Sequence, residues 1–228
     1  MARHRDDSTG PVATGVRDGL AYALYEPRGA ARGGVVVLHG AGSSGDNHAD
    51  FARACQAAGL AAVTFDQRGH GASEGALGGG AIDDVATIAE LLPAGPLFLR
   101  GSSMGGFMAL AAAARSAARA VVAICPAGRE QLLLGLRHGR YDFAADRPAL
   151  EALLESVDLD AAARDLGPAL LLLHAEGDES VPVEHSAMLH AAAPGSRLVR
   201  VPGGHHRSLQ HDPELQGHCV RFLLKRAG

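Results

Sequence analysis

Six short apolar runs recur along this chain, at 35–38, 61–65, 97–99, 120–124, 169–173 and 197–201, with room for a helix between most of them. Most are apolar at nearly every position rather than at alternate ones, which predicts strands buried on both faces, as in a parallel sheet covered by helices. Ahead of them, 12–16 and 20–25 are bridged by Arg17, Asp18 and Gly19; Asp-Gly is a strong turn signal, so this stretch predicts an antiparallel hairpin. Helices are predicted over 47–58, stopped by Gly59; over 82–92, stopped by Pro93; over 106–115; and from an Asp212-Pro213 cap to Leu224. The expected fold class is therefore α/β: a mostly parallel sheet with an N-terminal antiparallel hairpin and helices on both faces.

One stretch breaks the rhythm. Residues 126–167 hold two or three helical patches and no strand, more than an ordinary crossover needs, and they leave the sheet where an inserted cap would. The reading is a single domain over 1–228 with a short cap insertion at about 126–167. A length of 228 residues suits one α/β domain, and 47% hydrophobic with 20% charged residues is ordinary for a globular core. Aromatics are only 4% with no Trp, so Ala, Leu and Val must fill that core.

The formal net charge is −4 and the Lys and Arg residues are scattered, which excludes the basic footprint of a nucleic-acid binder. Three widely spaced cysteines, Cys55, Cys125 and Cys219, form neither a disulfide framework nor a zinc pattern and favour a reducing compartment. The start, Met1 to Ser8, is polar and leads into no apolar stretch of signal-peptide or membrane length, so a cytoplasmic protein with a frayed start and no membrane partner is expected. No oligomeric state can be read from the pattern.

The polar clusters fall at the ends of the predicted strands, and a parallel sheet gathers those ends along one edge, where ligands bind. After 97–99 comes Gly101-Ser102-Ser103-Met104-Gly105, a Gly-x-Ser-x-Gly turn entering an alanine-rich helix. Such a turn exposes its central serine and aims the first helical amides at the same spot, making Ser103 a candidate nucleophile. A serine hydroxyl needs a base, and His205 or His206, after 197–201, can supply one. The base needs a carboxylate to hold its tautomer, a part open to Asp178 in the loop after 169–173. The resulting order is Ser103, Asp178, then histidine.

This chain closely resembles the α/β-hydrolase superfamily, from the first hairpin through the last helix. His39-Gly40-Ala41-Gly42 is similar to the oxyanion loop, which implies that the backbone amides of Ala41 and Met104 bind the developing oxyanion. Asp66-Gln67-Arg68-Gly69-His70-Gly71-Ala72-Ser73 is similar to the Asp-x-Arg-Gly-x-Gly-x-Ser turn of the family. Gly177-Asp178-Glu179-Ser180-Val181-Pro182 resembles the acid loop, and Pro202-Gly203-Gly204-His205-His206-Arg207 resembles the histidine loop. The resemblance favours His206 over His205 as base. His39 is expected to orient the oxyanion loop, Ser43 or Ser44 to cap the following helix, and Cys125 to be a small buried thiol.

These readings converge on a serine hydrolase that cleaves a carboxylic ester or thioester of a small molecule through Ser103, His206 and Asp178, by way of an acyl-enzyme. No cofactor is implied, and the histidines lack the spacing of a helical zinc site, so no metal is assigned. Acyl transfer or peptide hydrolysis on the same triad, or a silent ligand-binding cleft, are the alternative readings.

Overall fold

The computed structural model describes residues 10–228; the polar start at Met1 to Ser8 lies outside the described residues. Eight strands form one sheet in the order β1-β2-β4-β3-β5-β6-β7-β8. β1 (Ala13–Arg17) and β2 (Leu20–Tyr25) make the antiparallel hairpin, turning at Asp18 and Gly19, both with positive φ, and β2 also runs antiparallel to β4 (Ala61–Phe65). From β4 onward every neighbour is parallel: β3 (Gly34–Leu38), β5 (Leu97–Ser102), β6 (Ala120–Ile124), β7 (Leu170–Ala175) and β8 (Arg197–Val201).

The double burial of the central strands divides the core in two. Val36, Leu38, Leu170 and Leu172 point into one apolar layer, while Val35, Val37, Leu171 and Leu173 point into the other. The first layer is closed by α2 (Ala81–Ala89), α3 (Met104–Ala112), α6 (Leu159–Leu166) and α7 (Val183–Ala192); the second by α1 (Ala49–Ala57) and α8 (Pro213–Leu224). The chain leaves β3 for β4 on one side and returns across it to β5 on the other. Their adjacent C-terminal ends are thus the switch point where an open α/β sheet opens a crevice.

Tertiary contacts move several boundaries. The segment after β3 enters a 3₁₀ turn at Gly45–His48 before α1, and neither Ser43 nor Ser44 caps it. The Gly45 amide instead donates to Asp66 Oδ1 at 2.7 Å, and Ser43 Oγ accepts from Asn47. α2 stops at Ala89, because Leu91 and Leu92 turn back to the carbonyls of Ile88 and Ala89 before Pro93. α3 starts at Met104, two residues earlier than the pattern suggests, and β5 runs into the serine motif itself. α8 matches its predicted cap: Asp212 accepts from the Leu215 amide, with Pro213 in the first turn.

Residues 126–167 carry α4 (Arg129–Arg137), α5 (Arg147–Ser156) and α6. α4 and α5 pack on each other, while α6 returns to α3 and α7. The return leg after α4 is tied to the loop after β4: Ala144 donates to the Gly69 carbonyl and accepts from the Leu77 amide, and Asp146 donates to the Leu77 carbonyl. Gly69 is required there, since a Cβ would lie 2.0 Å from the Ala144 oxygen. Among the described residues no helix is long and apolar enough to cross a membrane.

Leu172 is fully buried at the centre of the sheet. Leu172→Ala is expected to cost about 2–5 kcal/mol of folding stability, measured as a lowered urea midpoint; a loss under about 1 kcal/mol would mean that this strand is not the packed centre of the core.

Candidate active site

Ser103 stands between β5 and α3 with φ 55° and ψ −118°, a backbone conformation that costs a non-glycine residue on the order of 1–3 kcal/mol. The surroundings hold it there. The Ser103 amide donates to Ile124 at 2.9 Å, and its carbonyl accepts from Gly106, Phe107 and Ala127 at 2.9, 3.1 and 3.1 Å. The turn is so tight that a Cβ on Gly101 would sit 1.9 Å from the Gly105 oxygen, and one on Gly105 would sit 2.3 Å from the Leu38 oxygen. Glycine at both positions is a steric requirement.

The hydroxyl faces His206. Ser103 Oγ lies 2.8 Å from His206 Nε2, and His206 Nδ1 lies 2.6 Å from Asp178 Oδ2. In the tautomer this chain selects, Nδ1–H donates to the carboxylate and Nε2 accepts from the serine. His205 takes a different place: exposed, it accepts the Arg207 amide on Nδ1, while its own amide donates to Ser208 Oγ. The turn of Gly203 and Gly204, both with positive φ, selects which of the two adjacent histidines faces inward.

Asp178 is held from several sides. Its Oδ1 accepts the amides of Ser180 and Val181 at 2.8 and 2.9 Å. Its Oδ2 also has His174 Nε2 within 3.5 Å. His174 is fully buried: its Nε2–H donates to the Val181 carbonyl at 2.9 Å, and its Nδ1 accepts from Ser186 at 2.7 Å. Burial alone would raise the Asp178 pKa, but the hydrogen bonds from His174, His206 and Val181 overcome it and hold the carboxyl well below the usual carboxylate range. Cys125, with φ 43° at the end of β6, also faces this carboxylate; burial and the neighbouring charge push its thiol up to about 12.

Cys125, Asp178 and His206 offer one ligand atom each within 4.8 Å of one another, a metal-like cluster among the described residues. Within this cluster His206 Nδ1 and Asp178 Oδ2 bind each other at 2.6 Å.

The loop after β3 supplies the other wall. Gly40 comes close enough that a Cβ would touch Ser103 Cβ at 3.3 Å. The amides of Ala41 and Met104 donate to no protein acceptor among the described residues, Met104 being the first residue of α3. His39 braces this loop: its Nε2 accepts the Gln67 amide at 2.9 Å and its Nδ1–H donates to Gly40 at 2.8 Å, while Gln67 Nε2 donates back to the His39 carbonyl at 2.7 Å. Burial pushes the His39 pKa down to about 4. His70, in edge contact with His39, packs in turn on Phe143 of the return leg.

Ser103, His206 and Ala41 open on a cavity of about 1100 Å³, whose outer wall includes Arg140, Arg207, Glu179 and His205. Sequence reading singled out neither His174 as a partner of Asp178 nor Gln67 as a partner of His39. His174 carries a weak signal, being a polar residue at the end of an all-apolar strand four positions before the acid. Arg100 was hidden in an apolar run; fully buried, it reaches His48 at 2.7 Å and the Gln210 carbonyl at 3.0 Å, tying β5 to the segment just past the histidine loop.

A mostly parallel sheet with a serine at its switch-point turn, hydrogen-bonded to a histidine and then to an acid, is the arrangement of the α/β-hydrolase fold. Residues 29–141 match the family model described as serine aminopeptidase, S33. Est1E from Butyrivibrio proteoclasticus, solved with ferulic acid bound, superposes with a TM-score of 0.70 at 18% identity, covering 94% of this chain and 98% of that one. A serine hydrolase without a lid from Xanthomonas campestris gives 0.68 at 22% identity, over 93% and 94%. A monoacylglycerol lipase from Paleococcus ferrophilus gives 0.66 at 21% identity, over 91% and 98%. No curated protein sequence matches the chain. The chain has the α/β-hydrolase fold.

The bracing by His39 carries a pH signature. In the unfolded chain histidine titrates near 6.5, and in the fold His39 titrates at about 4, so between these values the folded state binds fewer protons. Its contribution to stability is complete above about pH 6.5 and is lost as pH falls toward 4; His48, pushed down to about 2 chiefly by burial, extends the loss to lower pH. The urea midpoint is expected to fall between pH 7 and pH 4, and to fall less steeply in His39→Gln. Identical slopes in the two proteins would contradict a neutral, buried His39.

Proposed function

We propose that the protein is a serine esterase acting on a small-molecule carboxylic ester or thioester, with Ser103 as nucleophile, His206 as base and Asp178 as orienting acid. The observation that carries this reading is the unbroken chain from Ser103 Oγ to His206 Nε2 and from His206 Nδ1 to Asp178, at the wall of an open cavity. Ser103 Oγ attacks the carbonyl carbon while its proton passes to His206 Nε2; the imidazolium is stabilised by Asp178. The amides of Ala41 and Met104 receive the developing oxyanion, each such donor being worth about 3 kcal/mol in the transition state. Collapse expels the alcohol or thiol, which takes the proton from His206. Water, deprotonated by His206, then attacks the acyl-serine and releases the acid.

Residues 126–167 supply the cap over this cavity, chiefly through α4 and the return leg to α5. The three cysteines are free and buried, which suits a reducing cytoplasm. The match to a serine aminopeptidase model supports a second reading, amide cleavage by the same triad. A panel of matched p-nitrophenyl esters, thioesters and p-nitroanilides separates the two.

A fluorophosphonate probe is expected to label the wild type and not Ser103→Ala, while His205→Ala labels normally. Asp178→Asn is expected to lower kcat on the best ester on the order of 10⁴-fold, by leaving His206 in the wrong tautomer. Undiminished labelling of Ser103→Ala, or equal loss in the two histidine variants His205→Ala and His206→Ala, would overturn the assignment.

A further inference from the structure

We propose that Tyr141 is the stop that limits the length of the acyl group this site accepts, an inference that rests on the esterase reading of the triad. Tyr141 follows α4 on the return leg of the cap, and its ring is a shared wall of three spaces. On one side is the catalytic cavity with Ser103. On the second is an apolar void of about 10 Å³ enclosed by Met104 and Met108 of α3, Leu132 and Leu136 of α4, and Leu150 and Leu154 of α5. On the third is a space of about 180 Å³ beside Gly139 and Arg147.

The ring is held in this position. It lies against Gly135, where a Cβ would come within 2.2 Å of its Cζ; its hydroxyl donates to the Gln131 carbonyl at 3.3 Å; and it stacks on Phe143 at 5.6 Å, which stacks on His70 at 4.3 Å. Through His70 and His39 this row of rings reaches the oxyanion loop, so the stop is referenced to the reacting carbonyl rather than to a free loop.

The direction of the acyl chain follows from the two walls around Ser103. His206 must reach the leaving oxygen, and the cavity lining next to His206 and Asp178 in the chain is Arg207 and Glu179, a polar setting for the leaving group. Met104, next to Ser103 at the start of α3, carries the amide proposed to face the oxyanion, and its side chain lines the apolar void. An acyl tail therefore has its apolar destination between α3, α4 and α5. A void of about 10 Å³ has room for no more than about one water-sized group, so with Tyr141 in place only short acyl groups fit. Removing the ring joins the void to the catalytic cavity and to the space beside Gly139, giving a medium-length chain an apolar path.

The test is kcat/KM on p-nitrophenyl esters from acetate to decanoate, for wild type, Tyr141→Ala, Tyr141→Leu and Tyr141→Phe. Each methylene newly buried is worth about fourfold, so the octanoate-to-acetate ratio should rise at least about tenfold in Tyr141→Ala, by less in Tyr141→Leu, and not in Tyr141→Phe, which keeps the ring. Adding Leu154→Phe to whichever shortened variant folds should refill the path and return the ratio toward wild type. A ratio unchanged in the folded shortened variants, or a wild type that already hydrolyses octanoate as well as acetate, overturns the proposal. Failure of the esterase reading looks different: the wild type would then neither label with fluorophosphonate nor turn over any ester.

Discussion

The site depends on one close backbone approach, the turn in which β5 hands over to α3. Gly101 and Gly105 touch across it, and Gly105 also lies against the β3 end, so a single methyl group at either position would separate β5, α3 and the loop after β3. That contact forces Ser103 into a strained φ and brings the Met104 amide and the Ala41 loop to the same side as the hydroxyl. The strain is sustained because the Ser103 backbone is bonded to Ile124 and Ala127 from the neighbouring strand and the chain beyond it. The geometry around Ser103 is a by-product of packing α3 against β3, β5 and β6 at a distance only glycine permits.

Around that turn, charge is confined to one place. Asp178 is ionised and multiply hydrogen-bonded, while the histidines that brace the loops, His39 and His48, are pushed toward neutrality chiefly by burial. A neutral His39 can accept from one loop and donate to its own, a dual role that an imidazolium could not fill. His174 acts likewise on the acid side, linking β7 to Val181 and to Ser186 of α7 beneath the carboxylate. The acid loop is thereby fixed from beneath, independently of His206.

Much of this was legible in the residues. The all-apolar runs announced central strands buried on both faces, and the polar clusters after Leu38, Ser102, Ala175 and Val201 announced one functional edge, because parallel strands must end together. Helix limits were less legible where long-range contacts set them: the carboxylate of Asp66 takes the Gly45 amide that a local serine cap was expected to serve. His174, Gln67 and Arg100 escaped notice because each acts through a partner distant in sequence or through a backbone group, and neither leaves a spacing to read. The choice of His206 over its neighbour rested on resemblance until the loop's backbone placed one ring inward and the other in solvent.

The sequence by itself determined the class of fold, the serine on its turn, and the order of the candidate groups, since periodicity, glycine and residue chemistry are local properties of the chain. Only the tertiary structure decided which histidine meets Ser103, which polar groups hold Asp178, and how residues 126–167 are placed. α6 returns to the core layer, and the leg from α4 to α5 presses Tyr141 between the cavity at Ser103 and an apolar void. These are decided by the shape of the space between elements far apart in the chain, which no local pattern of residues records.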